Sequence, residues 1–364
     1  MSALQPNDWV RSLSPYVPGR ASAEGVKRVV KLSANESAFG PSPAAVEAFQ
    51  AAAARLARYP DPDAAALRQA IAGRHGLDPA RVICGAGSDE ILHLVAQAFL
   101  SPGDEVIHSR YGFMLYGILA HEFSCRATAV QNRDWAADVD GILAAVTERT
   151  RMVFLDNPNN PTGACLPAAA VARLHAGLPE SCVLVYDAAY AECVSDAAYT
   201  DGTTLADSHA NVLVTRTFSK MYGLAAARIG WGYGSQVIID ALNRIRLPFN
   251  ANTPAQEAAI AALGDRAHLE FVREKTVTER KALAAALMAM GLETAPSETN
   301  FLLIRFPDTP GVTAEEANAW LAARGFLLRW LPGQGLADCL RLTVGEPEDN
   351  RAVIALLQEF MDRG

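Results

Sequence analysis

The sequence predicts an α/β protein: a large domain built on a mainly parallel sheet between helices, followed by a smaller α+β domain. Three observations carry this. Between about residues 80 and 235, short apolar runs alternate with helix-length segments, the pattern of parallel strands joined by crossover helices. From about residue 250 the texture changes to long helical stretches interrupted by two strands. A chain of 364 residues is also longer than one compact core usually organises. The expected division is an arm over 1–30, a large domain over 31–250 and a small domain over 251–364.

The elements follow in order. Residues 1–30 are rich in Pro, Ser and Gly and read as an extended arm. An alanine-rich stretch near 44–57 reads as a helix. RVICG (81–85) is a strand that runs through glycines into the helical SDEILHLVAQAFL, and SPGD then turns the chain into the strand EVIH. RMVFLD (151–156), CVLVYD (182–187) and NVLVTR (211–216) are further buried strands, each separated from the next by a helix-length segment. In the small domain, NFLLIRF (300–306) and CLRLTVG (339–345) are strands set among helical patterns.

Charge and cysteine usage narrow the function. The formal net charge is −8 and no basic run occurs, which argues against nucleic acid or an acidic membrane surface as partner. No apolar run reaches the roughly eighteen residues of a membrane span. The N-terminal stretch lacks the basic-then-apolar order of a signal peptide. Six scattered cysteines without a C-x-x-C pair read as buried thiols of a reducing compartment. A cytoplasmic enzyme of small molecules is the expectation.

Four stretches after strands could carry chemistry. CGAGSDE (84–90) offers free backbone N–H groups and a helix N-terminus to an anion. A plain turn with a helix cap accounts for it equally well. A dinucleotide motif does not fit, because Glu90 stands where a third glycine belongs. In DNPNNPTG (156–163), two prolines stiffen a loop around Asn159 and Asn160. In VYDAAY (185–190), Asp187 ends a run too apolar for an edge strand, and Tyr190 follows three residues on. TFSKMYGLAAARIGW (217–231) places Ser219, Lys220 and Arg228 just past another strand. Alone, that lysine reads as a solvated charge. Together, the strand ends supply an anion cradle, an amide, a carboxylate, a reactive amine and an arginine. Pyridoxal 5'-phosphate needs that set: a lysine to bind it covalently, a carboxylate to keep its ring nitrogen protonated, and N–H groups with an arginine for its phosphate.

The sequence resembles the fold-type I pyridoxal-phosphate aminotransferases and, among them, the histidinol-phosphate aminotransferase subfamily. The resemblance runs through LSPYVPG (13–19), KLSANESAFGPSP (31–43), RYPDP (58–62), the glycine turn, NPNNPTG, the Asp187–Tyr190 pair, Ser219-Lys220 with its downstream arginine, and CLRLTVG. It implies a seven-stranded-type sheet in the large domain and a homodimer with shared active sites. It implies that Lys220 binds the cofactor covalently and shuttles the substrate proton. Asp187 would pair with the ring nitrogen, Tyr190 and Asn160 would bond the ring oxygen, and Tyr111 would stack on the ring. The N–H groups of Ala86 and Gly87, the Ser219 hydroxyl and Arg228 would take the phosphate, joined by Tyr59 from the neighbouring subunit. Arg341 would bind the substrate α-carboxylate, with Arg329 and Tyr16 at the distal anion; no metal is implied. The implied reaction moves an amino group between an amino donor and a keto acceptor, histidinol phosphate and 2-oxoglutarate. Aromatic amino-acid transamination and, further off, threonine-phosphate decarboxylation use the same architecture. The chain departs from the family pattern at Ala188, where an acidic residue is usual, at Ser37 and Ala38, and in the alanine run before Arg228.

Overall fold

The computed structural model describes residues 4–12, 22, 25, 26 and 28–363. β1 (Val30–Lys31) belongs to a separate two-stranded sheet. β2 (Val82–Gly85), β3 (Glu105–Ser109), β4 (Arg126–Val130), β5 (Thr150–Asp156), β6 (Val183–Asp187), β7 (Val212–Thr217) and β8 (Gly230–Gly234) form one sheet in the order β2-β8-β7-β6-β5-β3-β4. Only β8 runs antiparallel to its neighbours; the other pairings are parallel. The apolar runs of the sequence are therefore strands, buried on both faces. Leu184, Val214 and Trp231 lie in the core on one side, and Phe154, Val185 and Leu213 lie in the core on the other.

β4 and β8 carry no continuous apolar run, so sequence pattern does not single them out. β8 reads GWGYG, and the glycines have a packing reason. A Cβ on Gly230 would fall 2.5 Å from the backbone nitrogen of Ser88. Strand and helix start can meet there only without a side chain.

The second unit is built on β9 (Glu293–Thr294), β10 (Phe301–Arg305), β12 (Arg329–Leu331) and β13 (Leu336–Thr343), antiparallel in the order β12-β13-β10-β9. β11 (Phe326–Leu327) pairs in parallel with β1. Its core gathers Leu302, Leu340, Leu321 and Leu357.

The cores divide the chain differently from the expected boundaries at 30 and 250. Val30 and Leu32 pack in the second core, not the first. Ala255, Ala258, Ala259 and Ala262 of the helix Thr253–Gly264 pack in the first. Small alanine faces let that helix lie close on its neighbours, and no composition shift marks the change. The helix Arg266–Ala289 reaches the second core through Leu283 and Leu287. No helix among the described residues is long and apolar enough to cross a membrane, and all six cysteines are unpaired.

Candidate active site

The parallel strands β5, β6 and β7 end side by side, and a cavity of about 310 Å³ opens beyond those ends. Asp187 is the last residue of β6 and is buried. Its Oδ2 accepts from the Tyr116 hydroxyl at 2.9 Å and its Oδ1 from the Thr215 hydroxyl at 3.0 Å. Burial pushes this carboxyl up to about 6, against the pull of the two hydroxyls. Both bonds come from neutral groups, so the carboxylate faces the cavity as an uncompensated anion.

Lys220 lies three residues beyond β7 and also lines the cavity. Its Nζ is 5.6 Å from the centre of the Tyr190 ring. Burial, then the nearby Arg341, pulls its ammonium down to about 8. Asp89 opposes that shift and Arg228 adds to it. A lysine so placed is partly neutral near physiological pH, which a nucleophile or base needs. Tyr190 is buried, its hydroxyl accepts from Asn35 Nδ2 at 2.8 Å, and burial pushes its pKa above the usual phenol value.

The stiff loop after β5 brings Asn160 to the same space. Its side-chain oxygen accepts from Arg341 Nη1 at 2.6 Å, while Arg341 Nη2 donates to the Ser33 carbonyl at 3.0 Å. The Arg341 guanidinium stands 5.2 Å from the Phe301 ring centre. Arg341 on β13 and Arg329 on β12 are cross-strand partners. Two guanidinium groups thus reach one wall of the cavity from the second unit, a site for carboxylate or phosphate.

The opposite end is a second anion site. Gly87 at φ 87° turns the chain into the helix Ser88–Phe99. A Cβ there would sit 2.6 Å from Arg228 Nη2, so the glycine is what admits the arginine. Arg228, itself at φ 52°, donates from Nη1 to the Ser219 hydroxyl at 3.2 Å and from Nη2 to Asp89 at 3.4 Å. The helix start and this arginine converge as an anion-binding end.

Most expected site residues meet here. Asp187, Tyr190, Asn160, Ser219, Lys220, Arg228, Arg329 and Arg341 all line the cavity. The phosphate donors expected at Ala86 and Gly87 lie in the turn before the helix. The Ala86 N–H donates to Glu90 Oε2 at 2.5 Å, and the Gly87 N–H donates to the Gly85 carbonyl at 2.8 Å. Both amides bond within the turn, and Ser88 and Asp89 line the cavity next to them. The Tyr111 ring packs with Trp135 beside Leu303, Leu331 and Cys339; Leu331 lines the cavity, as does Phe113 two residues on from Tyr111. Tyr59 is 81% exposed, stacked on Phe249 at 4.4 Å, and does not line this cavity. Tyr16 lies outside the described residues.

The residues fit pyridoxal phosphate on this geometry. An uncompensated buried carboxylate suits a cationic ring nitrogen. A lysine held near pKa 8 suits covalent attachment, and the Ser219–Arg228–helix end suits the phosphate.

Residues 27–357 match the family model described as aminotransferase class I and II. The chain is 49% identical over 361 residues to the histidinol-phosphate aminotransferase of Rhodospirillum centenum, covering 99% of each. It is 48% identical over 362 residues to the enzyme of the same name from Rhodopseudomonas palustris, again covering 99% of each. Among solved structures, it resembles the histidinol-phosphate aminotransferase of Sinorhizobium meliloti in complex with pyridoxal 5'-phosphate. The TM-score is 0.91 at 31% identity, over 99% of this chain and 98% of that one. A Thermus thermophilus aspartate aminotransferase double mutant matches with a TM-score of 0.84 at 25% identity, over 99% of this chain and all of that one.

Proposed function

The chain belongs to the class I and II aminotransferases, and we propose that it exchanges an amino group between histidinol phosphate and 2-oxoglutarate using pyridoxal 5'-phosphate. The observation that carries this is Lys220, an amine with its pKa lowered to about 8, facing a cavity with a buried carboxylate on one side and two anion sites at its ends. Full-length identity near one half to histidinol-phosphate aminotransferases supports the choice of substrate.

The residue roles are part of the proposal. Asp187 holds a proton on the cofactor's ring nitrogen, and Tyr190 and Asn160 hold its ring oxygen. Ser219, Arg228 and the N–H groups of Ser88 and Asp89 hold its phosphate. Bound in this way, the cofactor supplies an electron sink that makes the substrate Cα proton acidic. Lys220 Nζ would take that proton and return it two bonds away, a 1,3-transfer, so a single amine would serve as base and then as acid. Arg341, steadied by Asn160 and Ser33, fixes the amino donor's carboxylate. Arg329 and Tyr16 receive the distal anion. Both amino partners pass through the same pocket in turn, giving ping-pong kinetics.

A homodimer completes the site in this reading. Tyr59 and Phe249 form an exposed aromatic stack with exposed Leu56 and Leu247 close by in the chain. A second copy of the chain would cover this apolar surface and let Tyr59 reach the neighbour's phosphate. Six unpaired cysteines accord with a cytoplasmic setting.

Half-reaction rates test the substrate. Histidinol phosphate should bleach the cofactor's visible band faster than phenylalanine by orders of magnitude. A preference for phenylalanine would make this an aromatic amino-acid aminotransferase. Carbon dioxide release without a keto acid would make it a decarboxylase.

A further inference from the structure

Beside Asp187 the sheet ends in a second buried carboxylate to which no step above gives a part. Asp156 closes β5 and is the register partner of Asp187. Residues in register on parallel strands send their side chains to the same face, so the two carboxylates are neighbours. Asp156 Oδ1 accepts from Asn159 Nδ2 at 3.0 Å, and its Oδ2 accepts from the main-chain N–H of Asn160 at 2.9 Å. Asn159 in turn accepts from the Thr162 hydroxyl at 2.7 Å. The stiff loop is thus anchored to one carboxylate. From Asn160 the chain of bonds continues outward to Arg341. Asp156 therefore stands between two subsites, next to the ring-nitrogen carboxylate and two bonds from the substrate-carboxylate arginine.

Bracing a loop does not require a charge. An asparagine at 156 could accept the Asn160 bond without the cost of burying an anion. That cost is visible, since burial and then the Asp187 charge push Asp156 up to about 7, against its bond from Asn160. The titratable groups on the surrounding elements are Asp187 on β6, Tyr116 on the helix Leu115–Glu122, His108 on β3 and Asp89 on the helix Ser88–Phe99. Burial lowers the basicity of His108, so none of the four brings a positive charge at neutral pH. Held near 7, Asp156 carries only part of a charge at neutral pH, and a cation entering the cavity beside Asp187 favours its charged form.

We propose that Asp156 is a positioning residue of the reaction, holding Asn160 and through it Arg341 in register with Asp187, and adding a second negative charge beside that carboxylate. This rests on the use of pyridoxal phosphate proposed above.

Two variants of the cofactor-loaded protein separate the parts. Asp156→Ala removes anchor and charge and should raise KM for glutamate by roughly tenfold or more, with a smaller change in kcat. Asp156→Asn keeps an acceptor for Asn160 and should hold KM within about threefold of wild type. It should also lower the pH midpoint of the cofactor's visible band by roughly half a unit or more, because the nearby proton loses a negative neighbour. If wild type develops no visible band with pyridoxal phosphate, the functional reading itself fails. If wild type does so while Asp156→Asn leaves the midpoint unmoved, this inference alone is overturned. An unmoved KM in Asp156→Ala overturns the anchoring half of it. Should Asp156→Ala not fold, the near-isosteric Asp156→Asn decides through its midpoint.

Discussion

Arg216 and Lys220 stand four residues apart at one strand end, and their surroundings differ in nearly every respect. Arg216 is 3% exposed. It donates to Glu192 at 2.6 Å and Asp201 at 3.1 Å, and lies 5.3 Å from the Trp231 ring centre. Burial would lower its pKa, but Glu192 and Asp201 outweigh that and raise it. Lys220 meets the reverse conditions: burial and the cations Arg341 and Arg228 all pull its pKa down. One strand end thus carries a cation paired with two carboxylates that serves the fold, and a second left among like charges and available for reaction. The difference lies in the carboxylates each can reach, and those come from distant parts of the chain.

The contrast can be broken from either side. Lys220→Ala should cut turnover by a factor of ~10⁴ or more, since it removes both attachment point and proton carrier. Its fold should survive, as checked by circular dichroism. Arg216→Leu should do the opposite. It strands Glu192 and Asp201, of which Glu192 is well buried, and should cost about 3 kcal/mol or more in urea unfolding. A Lys220→Ala protein that unfolds, or an Arg216→Leu protein of normal stability, would undo the distinction.

Asp187 sharpens it. Burial raises this carboxyl from 3.8 to about 6, so the folded chain holds the proton more tightly than the unfolded chain in that window. Stability of the cofactor-free protein therefore falls as pH rises through it. Asp187→Asn should then be more stable than wild type at pH 8 by about 1–3 kcal/mol without cofactor, while binding pyridoxal phosphate more weakly. The smallest effect is kinetic. Capture of pyridoxal phosphate by the cofactor-free protein requires the neutral amine. Its rate should rise with pH and level off above about 8. An ordinary lysine would keep rising past pH 9.

Much of the site was legible in the sequence because α/β sheets gather strand ends along one edge. Lys220, Asp187, Asn160 and Arg228 follow buried strands that the apolar runs mark plainly. Arg341 and Arg329 come from the second unit, and only the family resemblance pointed to them. The bonding of the expected phosphate donors within the turn has a local cause: Glu90 reaches back to the Ala86 amide, beside the helix start at Ser88. That bond is a property of the folded turn, and Glu90 gives no sign of it in the sequence. Tyr111 and Phe113 lie two residues apart, and which ring faces the cavity depends on the packing of Trp135 and Leu331. Asp156 was readable, since it ends a buried apolar strand as Asp187 does. The small domain's claim on Val30 and Leu32 came through β1 pairing with β11, a contact across nearly three hundred residues.

The central claim is that Lys220 is the amine that reacts. Borohydride reduction of the protein loaded with pyridoxal phosphate, followed by peptide mass spectrometry, tests it most directly. The reduced cofactor should appear on the peptide containing Lys220 in stoichiometric amount, and Lys220→Ala should carry none. A label on another lysine, or no label on wild type, would contradict the account.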